Sequence, residues 1–199
     1  MKKRIVIGLV ALIGLAGLFA ACGDDDDMGG MDHSGDDSSE TTGTAAADAD
    51  FNDADVDFAQ GMIPHHQQAV QMADHAEGRA ESPEVIDLAE RIKAAQDPEI
   101  ELMTGWLEDW GQEVAEGMDH SGMAGMMSDD DMTMLEDVSG PEFDEMFLTM
   151  MIEHHEGAIE QAETELDDGQ NAEAKELAQT IIDAQQAEIE EMQGILDAA

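Results

Sequence analysis

Shifting the chain against itself by 89 residues aligns "FAQGMIPHHQQAVQMA" (Phe58 to Ala73) with "FLTMMIEHHEGAIEQA" (Phe147 to Ala162). The same offset aligns "LAERIKAAQDPEIELMTGWL" (Leu88 to Leu107) with "LAQTIIDAQQAEIEEMQGIL" (Leu177 to Leu196). Nineteen of the fifty positions from Phe58 to Leu107 are identical without a gap. An internal duplication of that length confines the fold to two copies of one supersecondary unit.

Within each copy the apolar residues recur at intervals of three and four, the spacing of an amphipathic helix. Asp55 and Asp144 lie near helix starts, where an acid favours the N-terminal dipole. "SPE" at Ser82 to Glu84 supplies a cap followed by proline at the first helical position. Gly78 and the "DDG" ending at Gly169 interrupt the pattern. Four helices are therefore expected, at about 54–77, 83–110, 141–166 and 171–197. The short loop inside each copy makes an antiparallel hairpin. Two such hairpins bury their stripes most economically against each other, as an all-α four-helix bundle.

The segments outside the copies differ in kind. Lys2, Lys3 and Arg4 precede an apolar run from Ile5 to Ala20 that ends in "FAAC", so residues 1–22 read as an export signal. The small residues before Cys22 resemble a bacterial lipobox, in which that cysteine is acylated and anchors the chain to the outer face of the cell membrane. Residues 23–50 hold too few apolar side chains to offset the entropy of ordering them, and read as a disordered acidic tether. Residues 51–199 form the domain: repeat one at 53–111, a Met-rich spacer at 112–139 and repeat two at 140–199. The pentapeptide "MDHSG" occurs in both tether and spacer, at Met31 to Gly35 and Met118 to Gly122.

Three of the seven basic residues fall in the export signal, which leaves four against forty-nine acidic ones and a charge of −45 on the exported chain. Such a field excludes nucleic acid as a partner and attracts cations. Cys22 is the single cysteine, so any sulfur chemistry in the domain must use methionine, of which the full chain has sixteen.

His65 and His66 fall on the apolar face of the first helix among Phe58, Met62, Ile63, Ala69 and Met72. His154 and His155 occupy the same place beside Phe147, Met151, Ile152 and Ala158. A single histidine on such a face is ordinarily a satisfied core residue. Here four imidazoles converge on one bundle, and each left without a partner costs about 1–3 kcal/mol. The second helix of each copy carries Glu99 and Met103, or Glu188 and Met192, one turn apart on its inward stripe. Met62 and Met151 stand one turn before the histidine pairs. Each methionine reads equally as core filler or thioether ligand, and each glutamate as ligand or as a group that orients an imidazole.

Imidazole with thioether and no thiolate suits copper: soft sulfur selects Cu(I), while imidazole and carboxylate accept Cu(II). Silver and zinc are compatible, although zinc more usually takes thiolate or histidine with carboxylate. Di-iron bundles carry Glu-x-x-His, and no histidine here has glutamate three residues before it. Met31, His33, Met118, His120 and Met123, on the tether and spacer, form an expected set of auxiliary, exchangeable ligands.

The motifs "FAQGMIPHHQQAVQMA" and "FDEMFLTMMIEHHEGAIEQA" resemble the CopM-like family, the domain of unknown function numbered 305, over about Asp53 to Ala199. The resemblance implies a ferritin-like helical bundle, copper binding outside the cytoplasm and copper resistance, with Met62, His65, His66, Met151, His154 and His155 as the matching residues. Gln161 departs from the pattern "HHxxAxxMA", whereas Met72 keeps its methionine, so the half-sites are expected to differ in affinity. The leading expectation is a non-enzymatic, membrane-anchored copper-sequestering protein, with a homo-oligomeric state or a copper-transfer partner left open. The alternatives are a copper- or iron-dependent oxidoreductase and a metal-free structural bundle.

Overall fold

The computed structural model describes residues 50–114 and 122–199. Among them are five helices: α1 (Asp53–Asp74), α2 (Pro83–Trp110), α3 (Asp129–Asp137), α4 (Pro141–Asp168) and α5 (Ala172–Ala198). The four long helices are those expected, while the first ends at Asp74 rather than 77. The chain then turns through 75–79, with Gly78 at a left-handed φ of +87°.

Four of the five starts follow from a side-chain cap, while α4 begins after Gly140 at φ +71° with Pro141 in its first turn. Asn52 accepts the amides of Ala54 and Asp55, while the Asp55 carboxylate accepts the Asn52 amide, so both ends of a capping box are closed at α1. Ser82 accepts the Val85 amide ahead of Pro83 at α2, and Asn171 accepts those of Glu173 and Ala174 at α5. The short α3 lies in the spacer that reads as low-complexity. Ser128 caps it through the Asp131 amide, and Met132 and Leu135 on its inner side are buried.

α1 packs on α2, α4 packs on α5, and the hairpins meet along α1 and α4. Two apolar clusters result. One gathers Ala69, Met72, Leu88, Ile92, Phe143, Phe147, Met151 and Met192 with Leu135 of α3. The other gathers Phe58, Met62, Met103, Trp106, Leu107, Ala158, Leu177 and Ile181. Each fully buried Leu, Ile, Met or Phe among them stabilises the fold by about 1.5–3 kcal/mol relative to exposure.

The hairpins are also tied crosswise. Asp55 of α1, wholly buried, accepts the main-chain amides of Gln170 and Asn171 in the α4–α5 loop at 2.8–3.2 Å. Asp144 of α4, its counterpart at the 89-residue offset, accepts those of Glu81 and Ser82 in the α1–α2 loop at 3.1 and 2.8 Å. Each copy therefore holds the turn of the other. That arrangement fixes how α1 faces α4, and with it the opposition of the two histidine pairs.

Candidate metal centre

Along α1, residues 58–63 belong to one apolar cluster and residues 69–76 to the other, with His65 and His66 between them. Along α4 the order is reversed, with His154 and His155 again between. The four imidazoles thus form a polar layer separating two apolar half-cores. All four are essentially without solvent exposure.

The layer has approximate two-fold symmetry. His66 Nε2 meets Glu99 Oε2 at 2.8 Å, and His155 Nε2 meets Glu188 Oε2 at 2.7 Å. A carboxylate accepts, so both imidazoles donate from Nε2, and their Nδ1 atoms are buried without a hydrogen-bond partner. Both contacts are those of the orienting role, which the sequence left open beside ligation. His65 and His154 face each other across α1 and α4, their ring centroids 3.8 Å apart at an interplanar angle of 50°.

Five ring nitrogens in this layer make no hydrogen bond: Nδ1 of His65, His66 and His155, and both nitrogens of His154. At about 1–3 kcal/mol for each unmet buried polar group, that is a heavy load for a purely structural core. A cation accepting imidazole lone pairs would relieve it. Burial, and then the neighbouring His66, hold His65 down to a pKa of about 3. Burial, and then the facing His65, hold His154 well below the ordinary histidine value. Both rings are therefore neutral at physiological pH, the form that binds a metal.

The thioethers flank the layer. Met62 and Met103 lie in one apolar cluster, Met72, Met151 and Met192 in the other, all fully buried. Among the described residues, no three His, Cys, Asp or Glu side chains stand arranged to hold a metal ion. A ligand set built here must draw on thioether sulfur or on a small turn of the imidazoles.

Cys22, Met31, His33, Met118 and His120 lie outside the described residues. Met123, expected on a flexible segment, is instead half-buried against the bundle: a Cβ built on Gly61 of α1 would sit 3.2 Å from its Cε. The reason is a pair of close approaches that only glycine permits. A Cβ on Gly157 of α4 would lie 2.1 Å from the Ala124 carbonyl oxygen. One on Gly125, itself at φ +77°, would lie 2.8 Å from the Glu153 oxygen. Gln68 of α1 then grips the Met127 main chain from both sides, accepting its amide at 2.7 Å and donating to its carbonyl at 2.9 Å. Sequence reasoning missed Gln68 and Gly157. The available signal was that they are counterparts at the 89-residue offset, three residues after the first histidine of each pair, at a place where the copies diverge.

The family model for the domain of unknown function DUF305 matches residues 55–196. A DUF305 protein of Streptomyces coelicolor is 32% identical with a TM-score of 0.68, over 73% of this chain and 93% of that one. A DUF305 fragment from Deinococcus radiodurans is 31% identical with a TM-score of 0.69, over 74% and 98%. CopM in its Cu(I)-bound form is 31% identical with a TM-score of 0.63, over 72% and 96%, and CopM has also been solved in Cu(II)-bound and Ag-bound forms. No curated protein matches the chain. With a match that spans both histidine pairs and the hairpins that carry them, the chain belongs to the CopM-like DUF305 family.

Proposed function

We propose that this protein binds copper ions outside the cytoplasm and retains them without chemical turnover, contributing to copper homeostasis or resistance. The observation that carries the reading is the buried layer of His65, His66, His154 and His155, with five ring nitrogens unpaired and two rings oriented by Glu99 and Glu188. That CopM is solved with Cu(I), Cu(II) and Ag supports copper, and silver as its soft mimic. Met62, Met103, Met151, Met192 and Met72 supply thioether sulfur on both sides of the layer. The charge of −45 on the exported chain concentrates cations near the bundle.

The N-terminal segment fits an exported lipoprotein: an export signal, acylation of Cys22 and an acidic tether that lets the bundle stand off the membrane. The Streptomyces coelicolor relative, described as a secreted protein, agrees with that compartment. Met31, His33, Met118 and His120 serve as weak outer collection sites, from which ions pass to the imidazoles.

The test is a Cu(I) titration of the metal-free protein against a competing chelator, repeated with His65, His66, His154 and His155 each changed to Ala. Tight binding that weakens with each substitution is expected. Affinity no better than micromolar, or indifferent to all four changes, would sink the reading. Multiple-turnover oxidation of Cu(I) would assign an enzyme instead.

A further inference from the structure

The chain from Gly122 to Met127 crosses the bundle on the side where α1 and α4 carry their histidines. Three features seat it there. Gly157 offers no side chain, and a Cβ at that position would collide with the Ala124 carbonyl group and with Gly125 Cα at 2.7 Å. Gly125 adopts φ +77° and lies so close to α4 that a Cβ would be 2.9 Å from the His154 carbonyl oxygen. Gln68 holds Met127 through two hydrogen bonds. The seat and the grip occupy equivalent positions of the two repeats, so a strap lying across the approximate two-fold axis has broken the symmetry of the pair. The consequence is a hydrogen bond to one imidazole of the layer: the Ala124 carbonyl oxygen lies 3.2 Å from His65 Nε2.

We propose that residues 122–127 are a positioning strap for the metal centre, in which Gln68, Gly125 and Gly157 hold the Ala124 carbonyl on His65 and fix that imidazole as its Nε2–H tautomer. A carbonyl oxygen can only accept, so the proton must reside on Nε2, leaving Nδ1 as the lone pair for a soft cation. Glu99 and Glu188 impose the same tautomer on His66 and His155. Three of the four imidazoles are thereby preset to bind through Nδ1. His154, the counterpart of His65, makes no hydrogen bond of good geometry at either ring nitrogen, with only the His65 main chain near it, and is the ring left to adjust as a cation arrives. Gln68 and Gly157 are positioning residues, since each acts on His65 through the strap.

The use of Nδ1 rests on the copper reading, but the tautomer is a property of the metal-free protein and is tested there. Long-range 1H–15N spectra of the full chain with labelled histidine, at pH 7.5 and without metal, are expected to show His65, His66 and His155 protonated on Nε2 only. Gln68→Ala, at a half-exposed position that leaves the core intact, and Gly157→Ala, which pushes the strap off its seat, should each return His65 alone to a tautomer mixture. Both should also weaken Cu(I) binding by about tenfold, the lower end of what loss of an orienting partner costs. Gln68→Glu, which still accepts the Met127 amide, should recover part of both effects. His65 protonated on Nδ1 in the unaltered protein, or a His65 tautomer indifferent to Gln68→Ala, overturns the strap's role. Tautomer control as described with no copper bound by any variant would refute the proposed function and leave the strap's hold on His65 supported.

Discussion

The two hairpins agree where they face each other and differ where they face anything else. The pairs His66–Glu99 and His155–Glu188 match at 2.8 and 2.7 Å, and Gln96 and Gln185 are both buried with their Oε1 unpaired. Toward the ends the copies part. Phe51, Trp106 and Trp110 stack at the close of the first hairpin, with centroids 4.8 and 6.0 Å apart. The counterparts of the two tryptophans, Ile195 and Ala199, line a groove with Leu148 and Glu191. Ala76 in one copy answers to Glu165 in the other, both buried. A duplicated pair on a two-fold axis sees the same surroundings from both sides, so one solution serves twice. Residues 122–127 of the spacer lie against one face, so identical residues would meet unlike neighbours there.

Removing a core ring should be the most damaging way to probe that likeness. Phe58 and Phe147 are counterparts in different apolar clusters, at 5% and 0% exposure. Phe147→Ala should cost about 3–5 kcal/mol of stability, and Phe58→Ala somewhat less, read as urea midpoints. Equal losses would show that the half-cores are interchangeable.

The crosswise clamps come next. Asp55 is buried and accepts amides from Asn52, Gln170 and Asn171, whereas Asp144 is half-buried and accepts two from the opposite loop. Asp55→Ala should cost about 2–3 kcal/mol and Asp144→Ala about 1–2 kcal/mol, on the worth of hydrogen bonds to a charged group. Chemical denaturation followed by circular dichroism would order them. A larger loss at Asp144 would mean that the hairpin turns are held by something else.

The orienting carboxylates test the likeness at the site itself. Glu99→Gln and Glu188→Gln should each lower Cu(I) affinity by about 10–100-fold, measured by chelator competition. Similar effects would confirm two equivalent half-sites. A much larger effect at Glu99 would show that the strapped half dominates.

The last comparison concerns Glu165. Burial first, and then the neighbouring Asp55 carboxylate, raise its carboxyl from 4.5 to about 8, against an opposing pull from Lys175. The folded protein therefore keeps a proton that the unfolded chain releases above about 4.5. Stability should decline as pH rises from that value toward about 8 and level off beyond it. Comparing urea midpoints at pH 5 and 8 for the unaltered protein and Glu165→Gln should reveal this decline, which the substitution removes. The same pH slope in both proteins would exclude Glu165 as its source.

Much of this was legible beforehand. The 89-residue offset, the three-and-four spacing, the cap at Ser82 and the breaks at Gly78 and Gly169 are local signals, and they located the four long helices within a few residues. The histidine pairs could be placed on apolar faces because helical periodicity alone puts them there. The short α3 was missed, although Ser128 with Asp131 three residues later, ahead of Met132 and Leu135, is a capping-box pattern. Its Asp- and Met-rich composition concealed it. Asp55 and Asp144 read correctly as residues near helix starts, but nothing local reveals that each grips the other copy's turn.

The sequence by itself determined the repeat, the helices, the inward faces and the donor types, because those depend on contacts within a few residues. Only the tertiary structure decided which nitrogen of His65, His66 and His155 is engaged, that His65 and His154 oppose each other at 3.8 Å, and that the spacer reaches back to His65. Those features join residues 33 to 89 positions apart, and their geometry exists only after α1 and α4 have packed.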